Sequence, residues 1–198
     1  MDSILLILIS SLIFALIHSL TASQRCKRLA ARLGLKEPRY RLTYSLFSLV
    51  TTMLWVAYIH ALPDASLYHI AVPYAWMMQS VQLIGVLLAL AAFIPIDGLV
   101  FLGLKVPPPH GEGFVISGVY RYIRHPMYTG AMLILLFKPE QSINSIVFAM
   151  LVCLYFIIGS RFEERRMLHD HPEYKTYQQS IPAFIPQLHK WRGESSIR

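Results

Sequence analysis

Cysteine is nearly absent from this chain. The 198 residues hold two, Cys26 in a basic stretch and Cys153 inside an apolar run, and neither has a CxxC partner. That excludes a disulfide framework and leaves no thiolate set for zinc or dithiol redox chemistry. Charge is scarce too: 15 % of residues are Asp, Glu, Lys or Arg, against ~25 % in an ordinary soluble domain. Acidic residues are the rarer sign, 11 against 18 basic, for a net charge of +7. The eight histidines (18, 60, 69, 110, 125, 169, 171 and 189) are scattered rather than boxed, so no metal is expected. Internal repeats and low-complexity tracts are missing. Cations are missing before the first apolar stretch, where only Asp2 stands. A cleaved signal peptide would need them, so Ile4 to Leu20 is expected to be an uncleaved first membrane helix of about 17 residues.

What is present is apolar. Hydrophobic residues make up 55 % of the chain, and mean hydropathy is +0.48. Apolar runs follow at Leu42 to Leu62, Tyr74 to Ile94, Tyr128 to Phe137 and Ile143 to Gly159. The expected fold is all-α, a polytopic integral membrane bundle of about five transmembrane helices with a C-terminal helical hairpin and a cytoplasmic tail. Pro139, between the last two runs, removes a helix donor and favours a break there. The first arm of that hairpin is short, because ten residues reach only ~15 Å. It either begins earlier, near Tyr122, or is tilted or sunk against other helices. Residues 1–97 are read as three N-terminal spans and residues 98–198 as loop, hairpin and tail, the two together as one structural unit.

The cations alternate with these runs. Seven lie between the first and second, from Arg25 to Arg41; none lies between Pro63 and Pro73; Lys105, Arg121 and Arg124 follow the third run. The hairpin tip has only Lys138, and the tail is basic again from Arg161. Excess cations mark the cytoplasmic side, which predicts the N-terminus outside and the C-terminus inside. Cations confined to short segments between spans also argue against a nucleic-acid partner. Residues Thr21 to Tyr40 interleave leucines with cations as an interfacial helix does. Gly98 to Gly118, with Pro107-Pro108-Pro109, reads as a loop that acts either as a lid or as a plain connector.

Two polar clusters break the apolar pattern. The first is Gly118-Val119-Tyr120-Arg121-Tyr122-Ile123-Arg124-His125-Pro126-Met127-Tyr128, and the second is Arg161-Phe162-Glu163-Glu164-Arg165-Arg166. Arg124 offers a planar fork for a carboxylate, His125 donates or accepts near neutral pH, and the glutamates suit an ammonium or ribose hydroxyls. A ligand with a carboxylate, an amine, a ribose and an aromatic base uses all of them, and S-adenosylmethionine has all four. Its sulfonium also suits an aromatic wall. In the competing reading Arg124 pairs with Glu163 or Glu164 and pins the hairpin base to the tail. In a third, the cations only set orientation. Asp97 is either a helix-end charge or a substrate-side group.

Ser117-Gly118-Val119-Tyr120-Arg121-Tyr122-Ile123-Arg124-His125-Pro126-Met127-Tyr128-Thr129-Gly130 resembles the GPYRYxRHPxYxG signature of the isoprenylcysteine carboxyl methyltransferase and phospholipid methyltransferase group. Glu163 to Leu168 follows its EExxL element in order and approximate spacing, with Met167 before the leucine, and Pro172 to Pro186 its tyrosine-rich, proline-ended tail. The resemblance runs from about Gly98 to Pro186. Val119 stands where proline is usual, His110 is displaced from the usual histidine, and Asp170-His171-Pro172 replaces a frequent Phe-Gly. His18-Ser19 and Tyr40 to Ser45 resemble a bacterial branch related to proteins of nitrogen-oxide metabolism and to thiol methyltransferases. The resemblance implies an integral methyltransferase of a bacterial inner membrane, with S-adenosylmethionine reached from the cytoplasm. Carried over, Tyr120, Arg124, His125, Pro126, Tyr128, Glu163 and Glu164 bind the cofactor, and Arg124, His125 and Glu163 are the catalytic set. The partners are the bilayer and a lipophilic or small methyl acceptor with a thiol, carboxyl or amine. The alternative is a non-catalytic membrane protein of the same fold, an assembly factor or small transporter.

Overall fold

The computed structural model describes residues 2–106 and 114–187. His110 and the triple proline lie outside the described residues. In chain order the elements are α1 (Ser3–Ala22), α2 (Gln24–Arg32), α3 (Arg39–Ala61), β1 (Ser66–His69), α4 (Tyr74–Phe93), α5 (Gly98–Phe101), a 3-10 turn (Gly118–Arg121), α6 (Pro126–Leu136), β2 (Glu140–Ser142), α7 (Ile143–Asp170) and α8 (Tyr174–Ser180). Among the described residues, four helices are long and apolar enough to cross a membrane: α1, α3, α4 and α7. Their outward side chains are lipid-facing in character, with Leu12 and Leu54 each more than 60 % exposed. Water would not tolerate so continuous an apolar surface on a monomer. The protein is a polytopic helical membrane protein.

The fourth apolar run forms a shorter helix than the other four. α6 has 11 residues and reaches only ~16 Å at 1.5 Å per residue. It begins at Pro126 and not near Tyr122, because proline takes the first helical position and holds the residue before it out of the helical region. His125 accordingly sits at φ −120° and ψ 60°. By contrast α7 is longer than its apolar run, with 28 residues, or ~42 Å. Its charged last turns therefore extend past the stretch that a ~30 Å hydrocarbon core requires.

The chain forms two compact units, one of residues 1–69, 97–112 and 140–151, the other of 70–96, 113–139 and 152–198. In the first unit α1 and α3 pair antiparallel. At one end the Ser3 hydroxyl donates to the Pro63 carbonyl, and at the other the Tyr40 hydroxyl donates to the Thr21 carbonyl. Between them Phe14 stacks on Trp55 with centroids 4.2 Å apart, and His18 meets the Tyr44 hydroxyl at 2.9 Å. The same unit holds a small antiparallel sheet, β1 with β2, that the sequence reading did not predict. Strands of three and four residues are too short to carry an alternation signal.

Next to this sheet, Asp64 reaches the first turn of α7. Its Oδ1 accepts from the Asn144 amide at 3.0 Å and the Ala65 amide at 2.8 Å. Loss of some hydration pushes the exposed Asp64 carboxyl up, but hydrogen bonds from Ser142, Asn144 and Ala65 outweigh it and hold the group below its ordinary range. A depressed carboxylate contributes stability above its unfolded pKa and loses it as pH falls through the folded value. Asp64→Ala should therefore cost about 1 kcal/mol near neutral pH, the usual worth of a capping oxygen. It should also flatten the acid limb of the stability curve below about pH 4. Thermal unfolding in detergent across that range checks both.

The second unit has its core in the tail. Tyr174, Tyr177 and Ile181 recur at helical spacing on one face of α8 and just beyond it. They are buried together against Phe114, Ile116, Met167 and Leu168.

Candidate active site in the C-terminal half

The site residues all belong to the second unit. Gly118 has φ +58°, a left-handed conformation that glycine adopts without Cβ strain, and it opens the turn that carries Tyr120. Beyond the buried Ile123 the backbone is taken up by the tail. The Arg124 amide donates to the Pro182 carbonyl and the His125 amide to the Ala183 carbonyl, both at 3.0 Å. Thr129 Oγ1 donates to the Phe184 carbonyl, and the Tyr177 hydroxyl to the Tyr120 carbonyl at 2.6 Å. Two segments ~50 residues apart in sequence are thereby strapped together without a shared sheet.

Glu163 and Glu164 are consecutive on α7, so their side chains leave the helix about 100° apart. They consequently face different partners. Glu164 is buried and receives three donors: Arg124 Nε at 2.7 Å, His125 Nε2 at 2.9 Å and Gln178 Nε2 at 2.9 Å. A carboxylate only accepts, so the His125 proton toward it lies on Nε2. Arg124 also donates through Nη1 to the carbonyls of Gln178 and Ile181. Of the readings left open for Arg124, the pair with Glu164 is the one formed, and it ties the base of α6 to α7 and the tail.

Glu163 is half-buried and accepts the Tyr128 hydroxyl at 2.9 Å. Tyr128 lies parallel to His125 on one side and to Phe156 on the other, with centroids 5.4 and 4.8 Å away. Phe184 also stacks on His125, with centroids 5.5 Å apart. The result is a four-ring stack, Phe184-His125-Tyr128-Phe156, with one carboxylate at its Tyr128 edge. Burial and then the Glu163 charge push the Tyr120 hydroxyl up to about 12. Burial likewise raises Tyr174 and Tyr177, so all three phenols stay protonated at neutral pH.

The structure thus gathers Tyr120, Arg124, His125, Pro126, Tyr128, Glu163 and Glu164 in one unit. It adds Gln178, Phe156 and Phe184, which the sequence reading missed. Phe156 sits two turns before Glu163 on α7, a spacing that marks a shared face; Gln178 and Phe184 carry no such signal. Asp97 has a structural part: it accepts from the Leu99 and Val100 amides and pairs with Lys105 at 3.0 Å.

Residues 5–182 match the NnrU protein family. The chain belongs to that family. The methanethiol S-methyltransferase of Crocosphaera subtropica is 28 % identical over 186 residues, covering 90 % of this chain and 72 % of that protein. Methanethiol S-methyltransferase 2 of Bradyrhizobium diazoefficiens is 27 % identical over 195 residues, 94 % of this chain and 74 % of its own length. The methanethiol S-methyltransferase of Pseudomonas deceptionensis is 30 % identical over 91 residues, 46 % of this chain and 35 % of that protein. No solved structure matches. These relatives bear out the resemblance to the isoprenylcysteine carboxyl methyltransferase group. This NnrU-family protein is an integral membrane methyltransferase, and the non-catalytic alternative is not favoured.

Proposed function

We propose that the chain transfers a methyl group from S-adenosylmethionine to a small thiol. The thiol rests on the relatives' activity; the donor rests on the site. The observation that carries the reading is the convergence of the Arg124-His125 pair and the twin glutamates beside a stack of aromatic rings. The residue set fits the donor's chemistry: a half-buried carboxylate for ribose hydroxyls or an ammonium, protonated phenols as hydrogen-bond donors, and flat electron-rich faces for a base and a sulfonium.

Arg124, His125 and Glu164, joined to each other and to Gln178, are assigned the frame of the site, with Pro126 fixing where α6 begins. Tyr120, Tyr128 and Glu163 are assigned its ligand-facing side. When bound, the sulfonium supplies an activated methyl group for in-line displacement. The chain's own work is proximity and orientation, together with one proton. A thiol attacks as the thiolate, so its S–H proton must leave as the new carbon–sulfur bond forms. Glu163, whose partner Tyr128 is a neutral donor rather than a cation, is assigned to take it. The reading places the protein in a bacterial inner membrane with the N-terminus outside and this site on the cytoplasmic side, following the cations.

Calorimetry on the purified protein in detergent tests the donor assignment. S-adenosylhomocysteine should bind, and Glu163→Gln should weaken it about tenfold, the worth of one charge-assisted hydrogen bond. Methyl transfer to methanethiol should fall further still. Absence of binding at millimolar ligand would remove the proposal.

A further inference from the structure

The strongest feature outside this site is the surface of the first unit formed by α2, the start of α3 and the α5 segment. α2 is short and strongly two-sided. Ser23 caps it, its hydroxyl oxygen accepting from the Cys26 amide. Cys26, Lys27, Ala30 and Ala31 form its half-buried side, whereas Arg25, Arg28, Leu29 and Arg32 are exposed. At 100° per residue these four, with Leu33 just beyond, occupy one arc. The arginines lie toward one edge of that arc and the leucines toward the other. Leu29 is 57 % exposed and Leu33 79 %.

A second apolar strip lies on the same unit. The Arg41 guanidinium donates to the Val100 carbonyl at 3.0 Å. Gly103, at φ +77°, packs so closely on Pro38, Arg41 and Leu42 that a Cβ would collide with their backbone. These contacts fix residues 97–106 beside the start of α3, with Leu99, Phe101, Leu102, Leu104 and Val106 all exposed. The acids nearby are engaged: Glu37 pairs with Lys27 and Arg41, each at 3.7 Å, and Asp97 pairs with Lys105. Arg25, Arg28, Arg32, Lys36 and Arg39 remain exposed and in excess.

We infer that this surface is a docking face for the anionic phospholipid of the adjoining leaflet. α2 connects two helices long enough to span, so it lies where a membrane surface begins. Exposed leucines beside arginines suit the boundary between acyl chains and headgroups, and the excess of cations selects headgroups carrying net negative charge. Free phosphate satisfies the arginines but leaves the apolar strip facing water, so the occupant is the lipid. This inference is independent of the methyltransferase reading.

The test uses the full-length protein in neutral detergent, offered equal amounts of phosphatidylglycerol and phosphatidylcholine, with retained lipid counted by native mass spectrometry. Phosphatidylglycerol should be retained in about fivefold or greater excess. The triple variant Arg25→Gln, Arg28→Gln, Arg32→Gln should lose that preference while keeping its thermal midpoint. Should the variant fail to fold, salt provides the same answer on the unaltered protein. Going from about 0.1 M to about 1 M shortens the screening length from about 10 Å to about 3 Å, and the preference should collapse. Equal retention of the two lipids, a preference indifferent to salt, or displacement of phosphatidylglycerol by millimolar inorganic phosphate would each overturn the proposal.

Discussion

Arg124→Ala is expected to be the most damaging single substitution in the chain, costing about 3–5 kcal/mol. That is of the order of the whole stability margin of many domains. The reason is what remains behind. Glu164 is buried, and it would lose the Nε donor at 2.7 Å that, together with His125 and Gln178, offsets its desolvation. The carbonyls of Gln178 and Ile181 would lose the donor they share. Unpaired buried acceptors cost their full desolvation penalty. Arg124→Lys should recover only part of the loss, because one ammonium lacks the planar fork that serves a carboxylate and two carbonyls together. The informative comparison is the double variant Arg124→Met, Glu164→Leu. Removing both charges should restore much of the stability that either single change loses, with cofactor binding still impaired if the frame matters for function. Thermal unfolding in detergent and calorimetry with S-adenosylhomocysteine read the two effects separately. A wild-type midpoint for Arg124→Ala would show that the pair does not hold the tail.

Much of this arrangement was legible in the sequence, for identifiable reasons. Long apolar runs cannot be hidden, and Tyr74 to Ile94 became α4 at Tyr74–Phe93 almost residue for residue. The polar clusters were conspicuous because charge in an apolar chain needs partners. Convergence followed from having Arg124, His125, Glu163 and Glu164 on adjacent segments. The division of labour between the glutamates was not legible. Neither residue type nor spacing says that Glu164 turns to the ion pair and Glu163 to Tyr128; that depends on the rotational setting of α7, which tertiary packing determines. Gln178 was invisible for the opposite reason, as one polar residue in a polar tail whose importance comes from a single amide and a single carbonyl. The helical hairpin was expected to be the local unit, yet the partner that approaches α6 most closely is α4. Nothing in two apolar runs announces which pair will touch.

That contact supplies the second large effect. Gly130→Ala is expected to disrupt the second unit although it adds one methyl group. A Cβ at Gly130 would collide with the Gly85 carbonyl oxygen and come within 2.9 Å of the Ala89 amide nitrogen and 3.0 Å of the Ala89 Cβ. From the other side, a Cβ at Gly85 would lie 2.7 Å from the Gly130 carbonyl oxygen and 3.0 Å from the Leu133 Cβ. Both obstacles are backbone or sit next to it, so no side chain can swing away. Instead α4 and α6 must separate. Small residues at such crossings let membrane helices pack backbone to backbone, and the Gln82 amide donating to the Ile134 carbonyl at 2.8 Å depends on that closeness. Overpacking of this kind costs about 1–3 kcal/mol and more where backbone must move. Because α6 carries Tyr128 and begins beside His125, its displacement should also disturb the ring stack and weaken cofactor binding. Gly159→Ala in α7 is the control. A Cβ there meets nothing within 4 Å, so alanine should be neutral or stabilise by about 0.5–1 kcal/mol through helix propensity alone. If the two alanine variants unfold at the same temperature, the close approach of α4 and α6 is not what holds this unit together.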